Sequence, residues 1–455
     1  MLVDRLARAA DDGLSPDSYS LSQLQATLAA ARTGDPTALA QAELALSRAY
    51  ADYMVDLHRP NPAASMVYVH DGLAPSPLTT RQWLEAAARA PSLAQALVDG
   101  TRMNPLYEEL RAGLAAYRAR WSVLPTVAVP DGPALKPGMK GPRVAALRQR
   151  LGLPAAPARY DAALTQAVRD FQSAHGLPAV GVAGPSTIAA LNAGPAHYEQ
   201  LIRANLERAR AIPADPGRRF ILVDTGNATL RAYEDGRVAE TMRVVVGKPS
   251  EPTPAMAGRI SFAVLNPYWN LPPDLARVRA QRVLAQGVRY LASERLEALS
   301  GWEEGARRLA PDEVDWQAVA SGQQELRMRQ LPGGQNFMGK VKFMLPNRLG
   351  IYLHDTPEKQ LFADPQRRFS SGCVRLEDAA RFSRWIFNGN PPDPDTAALD
   401  QHVDLPEPVP VYITYLTAAP RPGGFDFRPD IYRRDPTLLA ALDRGGAGGI
   451  KTAAR

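Results

Sequence analysis

The feature that most limits how this chain can fold is a change of apolar spacing part-way along it. Up to about residue 210 apolar side chains recur every three or four positions, and from Arg219 they run in short stretches split by turn residues. Segments 21–31, 37–57, a run from Thr79 and 107–121 each show an apolar and a polar face, the pattern of an amphipathic helix. Phe220-Ile221-Leu222-Val223, Thr229-Leu230-Arg231-Ala232-Tyr233 and Thr241 to Gly247 read as strands, with Glu234-Asp235-Gly236-Arg237 as a hairpin signal, and 260–265 continues the β reading. Helices first and strands later make this a multidomain α+β chain.

At 455 residues the chain is expected to hold about three domains. Residues 1–130 read as a helical scaffold without a catalytic constellation, and a Pro/Gly-rich stretch at 130–137 marks a boundary. Residues 131–194 predict three short amphipathic helices separated by glycine turns, 195–217 a connecting helix, and 218–417 a mostly antiparallel β domain. Its β pattern is interrupted over about 272–325, which is helix-like or irregular and holds Trp302 and Trp316. Residues 418–455, rich in Pro, Gly and Arg, read as a C-terminal tail, mobile at its end.

Composition excludes several classes. There is no run of 18 apolar residues, so no transmembrane helix is expected. The single cysteine rules out an internal disulfide or a cysteine-cluster metal site. The six histidines are scattered, with no His-x-x-x-His or His-Glu-x-x-His pair, so no metal is expected. The net charge of +6 is dispersed and no basic run is interleaved with aromatics, which argues against nucleic acid. Met1 to Leu6 lack the charged-then-apolar pattern of a signal peptide.

The chemistry concentrates at the one cysteine, in Ser370-Ser371-Gly372-Cys373-Val374-Arg375-Leu376, nineteen residues after His354. A lone cysteine is ordinarily a small buried hydrophobe. Here a polar, flexible approach precedes it, and Glu377-Asp378 opens a helix-like run to Gly389. Cys373 is therefore expected just ahead of a helix N-terminus, which favours thiolate, with His354 as base in a thiolate–imidazolium pair. The backbone N–H groups of Gly372 and Cys373 are the expected oxyanion donors, each worth about 3–4 kcal/mol in the transition state. Tyr352 shares the strand face of His354 and is expected to line the site. Ser371 reads either as a hydrogen-bond donor to substrate or as a turn residue. Arg375 reads either as a substrate-carboxylate fork or as a salt bridge supporting the cysteine loop with Glu377 or Asp378.

The His354 and Cys373 segments resemble the active-site signature of the L,D-transpeptidases, whose catalytic domain is called YkuD. Ser371 stands where many members have a second histidine, and the Ser-Ser-Gly-Cys form is similar to the large periplasmic branch. Arg329-Gln330-Leu331-Pro332-Gly333, Gly339-Lys340-Val341-Lys342-Phe343, Tyr352-Leu353-His354-Asp355-Thr356-Pro357 and Asn266-Pro267-Tyr268-Trp269-Asn270-Leu271-Pro272 extend the likeness. Residues 131–194, with Thr165-x-Ala167-Val168-x-x-Phe171-Gln172, His175-Gly176-Leu177 and Gly184-Pro185-Ser186-Thr187-Ile188, resemble the three-helix peptidoglycan-binding module, its Asp-Gly-x-Phe-Gly replaced by Tyr160-Asp161-Ala162-Ala163-Leu164.

The resemblance implies a periplasmic enzyme whose leader is removed or precedes this numbering, with the 272–325 insertion as a helical cap. It implies that Cys373 attacks a tetrapeptide stem, that D-alanine leaves, and that a neighbouring stem amine completes a 3–3 cross-link without any cofactor. It also implies a backbone carbonyl near Asp355 on the second nitrogen of His354. Peptidoglycan stem peptides are the expected partners, with other cell-wall synthesis proteins as further candidates. An L,D-carboxypeptidase using water, a non-catalytic peptidoglycan-binding protein and an intracellular cysteine hydrolase stay open as alternatives.

Overall fold

The computed structural model of the protein describes residues 1–303 and 305–447. Glu304 of the expected cap and the last eight residues of the expected tail lie outside them. The chain forms two units, residues 1–216 with the chain from 414 onward, and residues 217–413.

The first unit is helical because its apolar residues keep helical spacing and several of its helix starts are capped. Asp35 caps Pro36–His58 and Asn104 caps Pro105–Tyr117, each side chain accepting a backbone N–H. The three-helix module follows as Pro142–Arg150, Ala162–Ala174 and the start of Pro185–Arg210. Asp161, the remnant of the altered turn motif, caps the middle helix by accepting the Leu164 N–H at 2.9 Å. The expected connecting helix is continuous with the module's last helix. Gly194, at φ +79°, supplies the kink between them.

The expected tail is largely built into this unit. Ala418–Arg421 and Gly424–Phe427 pair as a hairpin, and Asp435–Ala447 is a helix. Gly424 lies so close to the Ala174 backbone that a Cβ would sit 2.7 Å from it. Arg208 meets Asp435 at 2.6 Å, both buried. No local pattern marks this hairpin and helix, because the ordering contacts are long-range.

The second unit is a closed, mostly antiparallel sheet. Its strands are β1 (Arg219–Asp224), β2 (Thr229–Glu234), β3 (Arg237–Gly247), β4 (Met256–Leu265), β5 (Val341–Met344), β6 (Leu353–His354), β7 (Arg368–Ser370), β8 (Val374–Leu376) and β9 (Gln401–Thr414). They run in the order β4-β5-β6-β8-β3-β2-β1-β9, and β9 also pairs with β4, so the sheet closes on itself. The β6–β8 and β7–β3 pairings are parallel. The helix Ala379–Ile386 packs Phe382 against Phe343 of β5, ring centroids 4.8 Å apart.

The insertion is not simply helical. Besides Pro273–Gln286, Arg289–Ser293 and Trp316–Ser321 it has its own sheet, ordered Trp269–Asn270, Arg327–Gln330, Leu296–Leu299, Arg308–Leu309. Those strands are two to four residues long, too short to show a period. A separate core fills it, including Leu271, Ala280, Val319 and Met328. Trp316 belongs to that core and donates its indole N–H to the Pro311 carbonyl. Trp302 is exposed, with the Arg327 guanidinium over its ring.

Candidate active site

Three adjacent strands place the chemistry. Lys342 of β5 stands opposite His354 of β6 in an antiparallel pair, and His354 stands beside Arg375 of β8 in a parallel pair. Facing residues in a sheet share one side, and side chains alternate along each strand. Phe343, Leu353 and Val374 therefore fill the core, while Lys342, Tyr352, His354, Cys373 and Arg375 lie on the opposite face. Cys373 and His354 are diagonal neighbours there, with Cα atoms about 8 Å apart from ordinary strand spacing and rise. The cap's core packs against Tyr352 on this same face.

The His354 ring is buried, and its Nδ1 lies 2.5 Å from the Asp355 carbonyl oxygen. A carbonyl only accepts, so Nδ1 carries the proton and Nε2 keeps a lone pair. Burial, then the charges of Arg375 and Lys342, push the imidazole down to about 3, against the smaller opposing pull of Asp355. The Asp355 carboxylate points elsewhere, accepting from the Lys340 N–H at 3.0 Å and Lys359 Nζ at 2.7 Å.

Burial pushes the Cys373 thiol above its ordinary value, although hydrogen bonds from the Tyr352 backbone and hydroxyl and the Arg375 charge pull the other way. The thiol contacts the Gly350 carbonyl at 3.5 Å. Both directions favour a neutral thiol and a neutral imidazole at rest over the expected thiolate–imidazolium pair. The expected helix N-terminus is corrected too. Strand β8 follows Cys373 directly, and the helix starts only at Ala379, where Asp378 caps it by accepting the Arg381 N–H at 2.8 Å.

The turn before Cys373 is held by two hydroxyls. Ser370 Oγ donates to the Cys373 carbonyl at 2.6 Å and accepts the Gly372 N–H at 3.2 Å. Thr253 Oγ1 donates to the Gly372 carbonyl at 2.8 Å and accepts the Gly247 N–H at 2.9 Å. Gly372 sits at φ +115°, and a Cβ there would lie 3.1 Å from Ile351 Cδ1. Glycine is required by that backbone conformation.

The expected substrate-facing residues divide. Tyr352 reaches Cys373 with its hydroxyl, which also donates to Met338 Sδ at 3.4 Å. Ser371 is exposed and hydrogen-bonds the Glu251 carboxylate. Arg375 is ion-paired, but with Glu358 rather than Glu377 or Asp378. Glu377 instead holds Arg243. Tyr268 is covered by the Arg329 guanidinium at 3.9 Å, and Trp269 lies in the cap core.

Residues 218–404, which contain all of this geometry, match the L,D-transpeptidase catalytic domain named YkuD. Residues 141–191 match the family described as "Putative peptidoglycan binding domain", and residues 1–114 the scaffold domain. A curated protein of Haemophilus influenzae, "Putative L,D-transpeptidase", is 30% identical over 248 residues, covering 53% of this chain. The match covers 49% of that relative, so the chain spans about half its length. An L,D-transpeptidase structure from Mycobacterium smegmatis is 15% identical over 43% of this chain and 58% of its own, TM-score 0.21. One from Xylanimonas cellulosilytica is 22% identical over 62% of this chain and 98% of its own, TM-score 0.18.

Sequence reasoning missed Ser370 and Thr253 as the braces of the turn before Cys373. Ser370 stood in the quoted motif, whereas Thr253 is 120 residues from the cysteine and left no local signal. It also missed Lys342, which the register alone brings beside His354.

Proposed function

We propose that the chain is a cysteine-dependent L,D-transpeptidase of the periplasm that makes 3–3 cross-links between peptidoglycan stems. Support comes chiefly from the pairing of a half-buried thiol with an imidazole on one sheet face, the imidazole's Nδ1 tied to the Asp355 carbonyl. That tie presents Nε2 as a base, and neutrality makes it competent at ordinary pH.

Because the thiol is neutral at rest, its proton passes to His354 Nε2 as Sγ attacks the stem carbonyl. The tetrahedral oxyanion draws on the Cys373 N–H and on the Gly372 N–H, which exchanges its long bond to Ser370 Oγ for the stronger acceptor. Collapse breaks the C–N bond, and His354 returns the proton to the departing D-alanine amine, leaving a thioester. A neighbouring stem's amine then attacks, loses a proton to His354, and releases the thiol. No cofactor enters. The cap over Tyr352 screens the site from water, and the three-helix module contributes contact with the wall.

The test is intact-mass analysis of the protein after incubation with imipenem, a strained acyl donor of the kind that acylates the resembled family. One covalent adduct on the parental chain and none on Cys373→Ala is expected. An adduct that persists in the variant overturns Cys373 as nucleophile.

A further inference from the structure

Between residues 217 and 413 the chain has four lysines. Three hold carboxylates: Lys248 with Glu251 at 2.8 Å, Lys340 with Asp395 at 2.6 Å and Lys359 with Asp355 at 2.7 Å. The fourth, Lys342, is half-buried and has no hydrogen bond or ion pair among the described residues. Asp400 exerts a favourable charge on it from beyond ion-pair distance and itself accepts the Tyr268 N–H at 3.2 Å. Burial lowers the affinity of this ammonium for its proton. A half-buried ammonium without an anion is costly unless a partner arrives.

Its place in the sheet says where that partner sits. Along the catalytic face one row runs His402, Val264, Lys342, His354, Arg375 across five adjacent strands. Arg375 is neutralised by Glu358, and the His402 ring engages Asp404 at 2.8 Å. Lys342 is therefore the cation left over beside the imidazole that handles the amine proton. In the reaction proposed above, the departing amine belongs to an amino acid, so a carboxylate sits on the very carbon that bears it. The acceptor is alike: the attacking amine of diaminopimelate also shares its carbon with a carboxylate. Leaving and attacking amines occupy the same locus, by microscopic reversibility, and both present a carboxylate one carbon away. Water, the competing acceptor, presents none.

Resting on that reading of function, we propose that Lys342 binds the α-carboxylate of the leaving residue and then of the acceptor, making the site selective for a free amino-acid terminus over an amide and for an amine acceptor over water. No atom changes hands at Lys342. The thioester forms and resolves as described, with the lysine holding the amine's carbon against His354.

The experiment uses the full chain, Lys342→Met, which keeps the stem's bulk, and Lys342→Arg, which restores the charge. Two soluble tetrapeptide stems are compared, one ending in D-alanine and one in D-alaninamide, with release of the terminal residue followed by mass spectrometry. A charge-assisted hydrogen bond predicts that the parental chain favours the free acid by about 10–100-fold in kcat/KM. Lys342→Met is expected to lose that preference and to shift product from cross-linked dimer toward hydrolysed tripeptide, while Lys342→Arg recovers part of both. Alkylation of Cys373 by neutral iodoacetamide, staying within about threefold of parental in both variants, shows that the site is intact. If Lys342→Met keeps the parental acid-over-amide preference, the lysine does not read the carboxylate. If the parental chain releases nothing from either stem, the functional reading falls and the proposal with it.

Discussion

Replacing Tyr352 by phenylalanine isolates one hydroxyl. At rest that hydroxyl donates to Met338 Sδ, a weak acceptor, and it reaches Cys373. When the thiol ionises, the sulfur becomes the better acceptor. A hydrogen bond to a charged group contributes about 1.5–3 kcal/mol, and one pKa unit is about 1.4 kcal/mol. Tyr352→Phe should therefore raise the thiol's pKa by about 1–2 units while leaving the ring packed on the cap core. The assay is iodoacetamide alkylation of the single cysteine, followed by intact mass from pH 6 to pH 10. In the parental chain burial holds the thiol above its usual value. An ordinary thiol is only about 3% thiolate at pH 7, so the parental rate should climb about tenfold per pH unit through pH 8. Tyr352→Phe should shift that profile toward alkali, about 10–100-fold slower at any one pH below the parental pKa. A parental rate already flat from pH 6 to pH 8 would mean a preformed ion pair and would refute the neutral resting state. An unshifted profile in Tyr352→Phe would show that the hydroxyl does not support the thiolate.

Other consequences follow from the same geometry. Gly372→Ala puts a Cβ at φ +115° against Ile351, so strain of about 1–3 kcal/mol is expected there. Imipenem acylation should slow more than iodoacetamide alkylation, because the displaced N–H serves the oxyanion. In the helical unit burial pushes His175 down to about 4, its ring held by the Phe171 carbonyl and the Tyr117 hydroxyl. The unfolded chain takes up that proton near pH 6.5 and the folded chain does not, so stability is full above pH 6.5 and declines as pH falls toward 4. The loss is about 3 kcal/mol, read as a falling Tm, and an NMR titration of His175 with a midpoint above pH 6 would contradict it. Met328→Ala hollows the cap core and should cost about 2–5 kcal/mol, measured by urea unfolding.

How much was readable depended on how locally each feature is encoded. The Ser-Ser-Gly-Cys turn and the Tyr-Leu-His strand end are contiguous, so their residues stood out, and parallel pairing of β6 with β8 then brought them onto one face. The helix after Cys373 was placed too early because β8 is only three residues long, and Asp378 looks the same whether it opens a helix at once or caps one after a strand. The expected thiolate rested on that helix end; without it, burial outweighs the nearby cation. Arg375 was rightly open between substrate and salt bridge, but Glu358 lies 17 residues upstream and only the fold selects it. The cap's sheet and the hairpin at 418–427 are likewise made by pairings between short segments whose partners no local pattern names.

The central claim is that this chain transfers a stem peptide from D-alanine to another stem through Cys373. The direct measurement is muropeptide analysis by liquid chromatography and mass spectrometry after incubating the full chain with peptidoglycan rich in tetrapeptide stems. Dimers joined 3–3, with free D-alanine, are expected from the parental chain and from neither Cys373→Ala nor His354→Ala. Tripeptide monomers alone would make the enzyme a carboxypeptidase, and dimers formed equally by Cys373→Ala would contradict the account outright.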